Sequence, residues 1–304
     1  MVALVFAIAV AAAATAAPTP SHDPVIAAAG DIACDPRHRL GPDIEAVLGG
    51  CEAAATYALI AAKKPVAVLV LGDAQYEDGA LEAFQQSYAK TWGWAKPITH
   101  PTPGNHEYYS SPTADGYFAY FGAAAGDRAK GYYSYDLGTW HMIALNGNCN
   151  FVGGCGAGSK QETWLKADLA GHPKACTLAY WHQPRFSSGT HHSDPTYADL
   201  WRDLYAARAD VVLGGHDHDY ERFGPQTPSG DADPNGGIRE FVVGTGGRSH
   251  SIFLKTEKNS ESRAGGTFGV LFLTLHPRGY EWRFMPIAGF LFSDSGSATC
   301  HGRH

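Results

Sequence analysis

The chain has 304 residues, of which 44% are hydrophobic and 17% are charged, and its formal net charge is −7. This length and apolar content are enough to bury a substantial core in one α/β domain or in two smaller ones. The modest negative charge argues against a nucleic-acid-binding protein, because such proteins depend on clustered Lys and Arg. Any attraction of an anionic ligand must therefore be local.

The first 17 residues are predicted to be a secretory signal peptide. Residues 2–17 consist mainly of Ala, Val, Leu and Ile, and they close with small residues before Pro18. The stretch is short for a membrane span and ends like a cleavage site, although no Lys or Arg precedes it. We therefore favour a secreted protein without a stable membrane anchor over a retained anchor. Residues 18–24 would be a short tether, and residues 25–304 one domain.

Strands and helices are predicted to alternate from residue 25 onward. Residues 25–29 and 66–71 are apolar runs typical of buried parallel strands. Residues 52–64 have the alanine content and spacing of a crossover helix between these strands. Apolar side chains at helical intervals predict a further helix over residues 81–94.

The second half of the chain is predicted to repeat this alternation. Residues 131–146 indicate a hairpin, which we expect to mark the middle of the sheet system. Ser159 and Glu162 form a capping-box pattern that opens a helix. Residues 196–208 predict another helix, and residues 268–286 predict a closing hairpin.

Six cysteines in a chain predicted to be exported favour disulfide bonds, although some could be free buried thiols. Fifteen pairings are possible for six cysteines, and sequence alone does not select among them. Short loop closure favours Cys34 with Cys51 and Cys149 with Cys155, which leaves Cys176 with Cys300.

Five predicted strands or turns are followed directly by side chains that can bind a metal ion. Open α/β sheets place their chemistry at the carboxyl ends of strands, so these side chains are expected to converge. A cluster rich in oxygen and imidazole ligands, without cysteine, suits iron, zinc or manganese. The side chains concerned are Asp31, Asp73, Tyr76, Asn105, His106, His182, His216 and His218.

These positions resemble the five-part signature of the calcineurin-like metallophosphoesterases. The general pattern has a histidine two residues after its first aspartate, where this chain has Ala33. In purple acid phosphatases a tyrosine takes that coordination place, and Tyr76 is present, so the chain resembles this subgroup. The resemblance implies an α/β fold in which two sheets form an α/β/β/α sandwich in a single catalytic domain.

The resemblance also implies a binuclear metal centre bridged by Asp73. One ion would be Fe(III), because a phenolate ligand favours a hard trivalent ion, and the other would be Zn, Fe or Mn(II). The ligands implied for the first ion are Asp31, Asp73, Tyr76 and His218. Those implied for the second ion are Asp73, Asn105, His182 and His216.

Three further histidines are candidate catalytic residues by the same resemblance. His106 would hold a phosphate oxygen or assist protonation, with Glu107 orienting it, unless it is only structural. His191 and His192 lie in the loop after His182, and either could be the acid for the leaving group. Both could equally be exposed loop histidines.

The implied function is that of an exported, metal-dependent acid phosphatase. It would hydrolyse small-molecule phosphate monoesters by attack of a metal-activated hydroxide. The alternatives are a phosphodiesterase or nucleotide hydrolase that uses the same centre, and a non-catalytic metal-binding protein on this scaffold. The loops over residues 146–158, 183–195 and 224–237 are predicted to set the choice of leaving group.

Overall fold

The computed structural model describes residues 23–35, 37, 50–253 and 255–302. The predicted signal peptide and most of the predicted tether lie outside these residues. Within them, no helix combines the length and the apolar content that crossing a bilayer requires.

The described residues form two mixed β-sheets with helices packed against them. The strands are β1 (Val25–Ala29), β2 (Ala67–Leu71), β3 (Thr99–Thr102), β4 (Tyr133–Leu137), β5 (Trp140–Ala144), β6 (Cys176–Tyr180), β7 (Val211–Gly214), β8 (Tyr220–Phe223), β9 (Arg239–Val243), β10 (Ser260–Ala264), β11 (Gly269–His276), β12 (Gly279–Pro286) and β13 (Asp294–Thr299). The helices are α1 (Ala53–Lys63), α2 (Leu81–Gln86), α3 (Asp115–Phe121), α4 (Cys149–Val152), α5 (Lys160–Gly171) and α6 (Ala198–Ala206).

Each sheet contains a block of parallel strands. The six-stranded sheet has the order β13-β12-β11-β1-β2-β3, and the seven-stranded sheet has the order β10-β8-β9-β7-β6-β5-β4. Strands β1, β2 and β3 are mutually parallel, as are β5, β6, β7 and β9. Because parallel neighbours end at the same sheet edge, each block presents its carboxyl ends together. The predicted pairing of the first two strands through a crossover helix is confirmed.

The continuous apolar runs of the central strands follow from burial on both faces. In β7, Val211 and Leu213 belong to the core cluster shared with the first sheet, whereas Val212 packs in a second cluster with Leu200 and Trp201 of α6. Successive strand residues point to opposite faces, so a strand covered on both sides must be apolar at every position. The predicted two-sheet sandwich with outer helices is confirmed.

The predicted helix over residues 81–94 is wrong in its length. Helix α2 ends at Gln86, and 3₁₀ helices follow over Tyr88–Lys90 and Trp92–Ile98. The backbone N–H of Tyr88 donates to Gln75 Oε1 at 3.0 Å instead of continuing the α-helical pattern. A long-range side-chain contact therefore breaks a helix that the local spacing favours.

The predicted hairpin over residues 131–146 forms as β4 and β5, but β4 lies at the edge of its sheet and not in the middle. An edge strand has one neighbour, which suits the partly exposed sequence of β4. Strands β8, β10 and β13 were not predicted. Strands β10 and β13 are dominated by small and polar residues and carry little apolar pattern.

The predicted capping box before α5 is half formed. The Ser159 side chain accepts a hydrogen bond from the backbone N–H of Glu162 at 3.2 Å, as a helix cap should. The Glu162 carboxylate accepts from the N–H of Gly158 at 3.0 Å and not from that of Ser159. The return bond is therefore shifted by one residue.

All six cysteines are paired, in the arrangement that loop closure favours. Cys34 binds Cys51 close to the end of β1, and Cys149 binds Cys155 around the short helix α4. Cys176 at the start of β6 binds Cys300 just after β13, which links the two sheets covalently.

Removal of the bridge between Cys176 and Cys300 should cost more stability than removal of the bridge between Cys149 and Cys155. The bridge between Cys176 and Cys300 joins residues that are 124 positions apart in sequence, whereas the bridge between Cys149 and Cys155 joins residues that are 6 positions apart. Loop-closure entropy then predicts losses of about 5 and about 2 kcal/mol in the free energy of unfolding. The two double Cys→Ala variants should be compared by urea unfolding, and equal losses would contradict this expectation.

Candidate metal centre

The side chains singled out in the sequence meet where the carboxyl ends of the two parallel blocks face each other. Asp31 follows β1, Asp73 follows β2, and His216 follows β7. The backbone N–H of His216 donates to Asp31 Oδ2 at 2.9 Å, which joins a turn of the second sheet to a turn of the first. The candidate site therefore straddles both sheets.

Asp73 lies at the centre of this cluster. Its Oδ2 is 3.0 Å from Tyr76 Oη and 3.1 Å from His182 Nε2. Tyr76 Oη is in turn 2.8 Å from Asp31 Oδ1 and 3.0 Å from His218 Nε2. One carboxylate oxygen thus touches two of the side chains that are predicted to bind metal.

The histidines are held so that one ring nitrogen faces the cluster. His182 Nδ1 donates to the Leu71 carbonyl oxygen at 2.8 Å, which directs its Nε2 toward Asp73. His218 Nδ1 is 2.6 Å from Ser249 Oγ, so its Nε2 faces Tyr76. A hydrogen bond at the far nitrogen is the usual means by which proteins orient a metal-binding histidine.

Asn105 presents an unsatisfied oxygen to the same space. Its Nδ2 donates to Tyr109 Oη at 2.8 Å, whereas its Oδ1 is buried and has no hydrogen-bond partner among the described residues. A buried polar atom without a partner costs free energy that a ligand can recover. A cation at the cluster would supply the missing partner.

The spacing of these atoms fits metal binding. Metal–nitrogen and metal–oxygen bonds are about 2.0 to 2.2 Å long, so ligand atoms at right angles around one ion lie about 3 Å apart. The contacts around Tyr76 Oη and Asp73 Oδ2 range from 2.8 to 3.1 Å, and His216 Nδ1 is 3.2 Å from His182 Nε2. Hard oxygen atoms and imidazole nitrogens together suit iron, zinc or manganese. The residues present therefore fit the implied group.

Three of these residues have left-handed backbone conformations. The φ angles of Asp31, Asp73 and His216 are 61°, 46° and 69°. Such conformations are uncommon for residues other than glycine, and they cluster at functional sites where surrounding contacts hold them. The backbone is thus fixed in the geometry that directs these side chains inward.

The electrostatics of the cluster favour a bound cation. Burial alone would raise the pKa of Asp73, but the charge and hydrogen bond of His182 hold that pKa well below its usual value. Burial opposes protonation of His182, but the charges of Asp73 and Asp31 raise its pKa to about 10. Burial and the charge of His182 lower the pKa of His216 to about 3. Two buried carboxylates thus draw positive charge into the site.

The prediction that Glu107 orients His106 is wrong. His106 Nδ1 donates to the carbonyl oxygen of Glu77 at 2.5 Å, and its Nε2 lies 3.9 Å from Asp73 Oδ2. The Glu107 carboxylate instead accepts hydrogen bonds from the backbone N–H groups of Asp73, Gln75 and Gly104. Glu107 therefore holds the turns that carry the cluster, and a backbone carbonyl orients His106.

The two adjacent histidines of the loop after His182 differ in position. His191 lines the cavity over the cluster, and its ring centroid is 4.1 Å from that of His216. Asp217 Oδ1 accepts a hydrogen bond from the backbone N–H of His191 at 2.9 Å and lies 3.0 Å from His191 Nδ1. The side-chain hydrogen bond at Nδ1 raises the pKa of His191. Both histidines are exposed, but His192 is not among the residues that line the cavity.

The cavity over the cluster has a volume of about 410 Å³. Of the three loops predicted to border it, residues 183–195 contribute His191, and residues 146–158 contact the turn at Gly104 through Asn148 Nδ2 at 3.1 Å. Residues 224–237 instead line a separate cavity with Cys300 and His301. The prediction for this third loop is therefore wrong, because β8 and β9 carry it to the other end of the sheet.

The structure also brings residues to the cavity that the sequence reading missed. Glu77 directly follows Tyr76, and Tyr109 is exposed one turn after Asn105. Arg248 and Ser249 follow the Gly-Gly pair after β9. The signal available in the sequence was that glycine turn, which resembles the turns after β1, β2 and β7.

Comparison with known proteins agrees with this geometry. The family model for calcineurin-like phosphoesterases matches residues 25–220. The match covers more than half of the chain and includes the candidate cluster. The chain belongs to the calcineurin-like phosphoesterase family.

The similar proteins include purple acid phosphatases, as the sequence resemblance predicted. The chain is 29% identical to purple acid phosphatase 18 of Arabidopsis thaliana over 206 residues, which are 62% of this chain and 45% of that protein. It is 31% identical to purple acid phosphatase 21 of the same plant over 171 residues, which are 52% of this chain and 38% of that protein. The chain thus spans less than half the length of these curated relatives.

A solved structure shows the same fold. The purple acid phosphatase isolated from yellow lupin seeds matches with a TM-score of 0.74 and 20% sequence identity, over 93% of this chain and 55% of that chain. The common fold at low identity confirms the two-sheet architecture. It leaves the chemistry to be argued from the site itself.

Replacement of Gly104 by Ala should damage the candidate site more than the fold. A methyl group at this position would overlap the carboxylate and the backbone nitrogen of Asp73. Displacement of Asp73 by about 1 Å should lower turnover of a phosphate ester by about 10²-fold and reduce bound metal. Gly171→Ala is the matched control, because a methyl group there meets no neighbour within 4 Å. Normal metal content in Gly104→Ala would contradict the proposed position of Asp73.

Proposed function

We propose that this protein is an exported binuclear-metal phosphatase that hydrolyses small-molecule phosphate monoesters. The observation that carries the proposal is the position of Asp73 Oδ2, which touches both Tyr76 Oη and His182 Nε2 beneath an open cavity. The similarity to purple acid phosphatases supports the same reaction class. Nucleic acid is not an expected partner, since the net charge is −7.

Two ions would share the cluster, with Asp73 between them. The proposed ligands of the first, Fe(III), are Asp31, Asp73, Tyr76 and His218. The proposed ligands of the second, Zn, Fe or Mn(II), are Asp73, Asn105, His182 and His216. Such a centre acts as a Lewis acid toward a phosphoryl oxygen and lowers the pKa of water.

The side chains around the cavity would position the substrate and move protons. Because His106 Nδ1 donates to the carbonyl oxygen of Glu77, its Nε2 is directed toward the cavity, where the protonated ring could donate a hydrogen bond to a phosphoryl oxygen. His191 is held by Asp217 on the opposite side, and we propose it as the acid that protonates the leaving group. His192 is not among the residues that line the cavity and is the weaker candidate.

Export is proposed from independent features. Three disulfide bonds use every cysteine, which is typical of proteins that fold in an oxidising compartment. The apolar run over residues 2–17 would be the signal that directs export. We further propose that residues 25–304 act as one catalytic domain.

Asp73→Asn should have the largest effect of any ligand substitution. Loss of a residue that only supports a metal ligand typically costs 10- to 100-fold, so loss of a bridging ligand should lower turnover by more than about 10²-fold and also lower bound metal. Elemental analysis and a panel of monoesters and diesters assayed across pH would measure both effects. Asp231→Asn, at an exposed aspartate, is the control.

Two outcomes of this experiment would remove the proposal. Wild-type metal content in Asp73→Asn would place the metal elsewhere. A metal-loaded wild-type protein that hydrolyses no phosphate ester would indicate a non-catalytic metal-binding protein on this scaffold.

Tyr76→Phe tests the assignment of Fe(III). Burial and the charges of Asp31 and Asp73 raise the pKa of Tyr76, so only a strongly charged cation would hold it as a phenolate. The oxidised, iron-loaded wild type should then absorb visible light through charge transfer from phenolate to iron. The Phe variant keeps the ring volume and should lose this band while the folded state persists. A band that survives in Tyr76→Phe would reject Tyr76 as a ligand.

A further inference from the structure

Arg248 is fixed beside the candidate metal centre by its backbone. The backbone N–H of Arg248 donates to the carbonyl oxygen of Asp31 at 2.9 Å. The backbone N–H of Gly246 donates to the carbonyl oxygen of Gly30, also at 2.9 Å. A methyl group at Gly246 would overlap the Gly30 carbonyl, so the glycine permits this close approach. The loop after β9 is therefore locked to the turn that carries Asp31.

The guanidinium group of Arg248 is held against one wall of the cavity. Its Nη2 donates to Glu77 Oε1 at 2.6 Å, and its Cζ lies 5.2 Å from the centroid of the Tyr76 ring. The side chain is 15% exposed, so little of its freedom remains to be lost when a ligand binds. The group is preorganised next to a proposed metal ligand.

One donor of this guanidinium is unsatisfied. Arg248 Nε is buried and has no hydrogen-bond partner among the described residues. Leaving a buried charged donor unpaired is unfavourable, so the contacts within the protein do not use the full hydrogen-bonding capacity of this guanidinium. The planar arginine fork matches phosphate oxygens better than a lysine ammonium does.

Arg248 also supplies a fixed positive charge to the cavity. Among the described residues that line it, the only Lys or Arg is Arg248, and the other candidate cations are histidines. The chain as a whole is negative, so anion attraction depends on such local groups. Without Arg248, an oxyanion lying over Asp73 would face histidines, Asn105, two tyrosines, Ser249 and the carboxylate of Glu77, among which no side chain carries a permanent positive charge.

Building on the proposed function, we infer that Arg248 binds a peripheral phosphoryl oxygen and selects phosphate monoesters over diesters. A monoester dianion carries more negative charge on its non-bridging oxygens than a diester does. A charge-assisted hydrogen bond from a fixed guanidinium therefore stabilises the bound monoester more strongly. Arg248 is thus a substrate-binding and specificity residue on the wall shared with Tyr76 and Glu77.

The experiment compares Arg248→Gln and Arg248→Lys with wild type in the metal-loaded protein. Arg263→Gln is the matched control, because Arg263 also lies over an aromatic ring, that of Phe253, but outside the cavity. The readouts are the kcat and KM for p-nitrophenyl phosphate and for bis(p-nitrophenyl) phosphate, calorimetric affinity for inorganic phosphate, metal content and the thermal midpoint. The two esters share one leaving group, so their ratio reports on the phosphoryl charge.

Arg248→Gln should raise the monoester KM and the phosphate Kd by about tenfold or more, whereas the diester KM should change by less than about threefold. Metal content should stay at the wild-type level, and Arg263→Gln should change none of these values. Arg248→Lys keeps the charge without the fork and should give an intermediate loss. If the Gln variant fails to fold, the Lys variant provides the test of the same assignment.

Equal losses on both esters, or an unchanged phosphate Kd in the folded and metal-loaded variants, would overturn the assignment of Arg248. A wild-type protein that binds phosphate but hydrolyses neither ester would refute the proposed function. The phosphate affinities would then still decide whether Arg248 is an anion-binding residue.

Discussion

The buried carboxylate of Glu107 holds together the turns on which the candidate centre depends. It accepts hydrogen bonds from the backbone N–H groups of Asp73 at 2.9 Å, Gln75 at 3.2 Å and Gly104 at 2.7 Å. Burial and the charge of Asp73 raise the pKa of Glu107 to about 8, and the backbone hydrogen bonds from Gly104 and Gln75 oppose that rise. The two turns therefore share one polar anchor, and the backbone of Asp73 is held in its left-handed conformation by contacts outside its own strand.

The second constraint is the meeting of the two sheets. Each parallel block brings its carboxyl ends to one edge, and the cores on both faces of β7 fix its position. The oxygen-bearing side chains of the cluster come mainly from turns of the first sheet, whereas the imidazoles of His182 and His216 come from the second. Neither sheet could form the cluster alone. The bond between His216 N–H and Asp31 Oδ2 shows how tightly the two halves are joined.

Around the centre, the loops divide into those that reach the cavity and those that do not. Asp217 orients His191, the Glu77 carbonyl orients His106, and the Glu77 carboxylate holds Arg248. These contacts come from short connections locked to the strand ends, where side chains can be placed precisely enough for chemistry. The longer excursion over residues 224–237 leaves toward the opposite end of the sheet and lines a different cavity. Position at the strand ends therefore decides which loops belong to the site.

By itself the sequence determined the strands that are buried on both faces, the crossover helix and the order of the ligand-bearing turns. Apolar runs and glycine turns are local patterns, so they can be recognised in the sequence without a structure. Only tertiary structure decided where the helix after Leu81 breaks, that β4 lies at an edge, and that Glu107 serves the backbone while Glu77 serves His106. The position of Arg248 was likewise hidden. Each of these features depends on contacts between residues that are distant in the chain, and the local spacing of residue types does not predict such contacts.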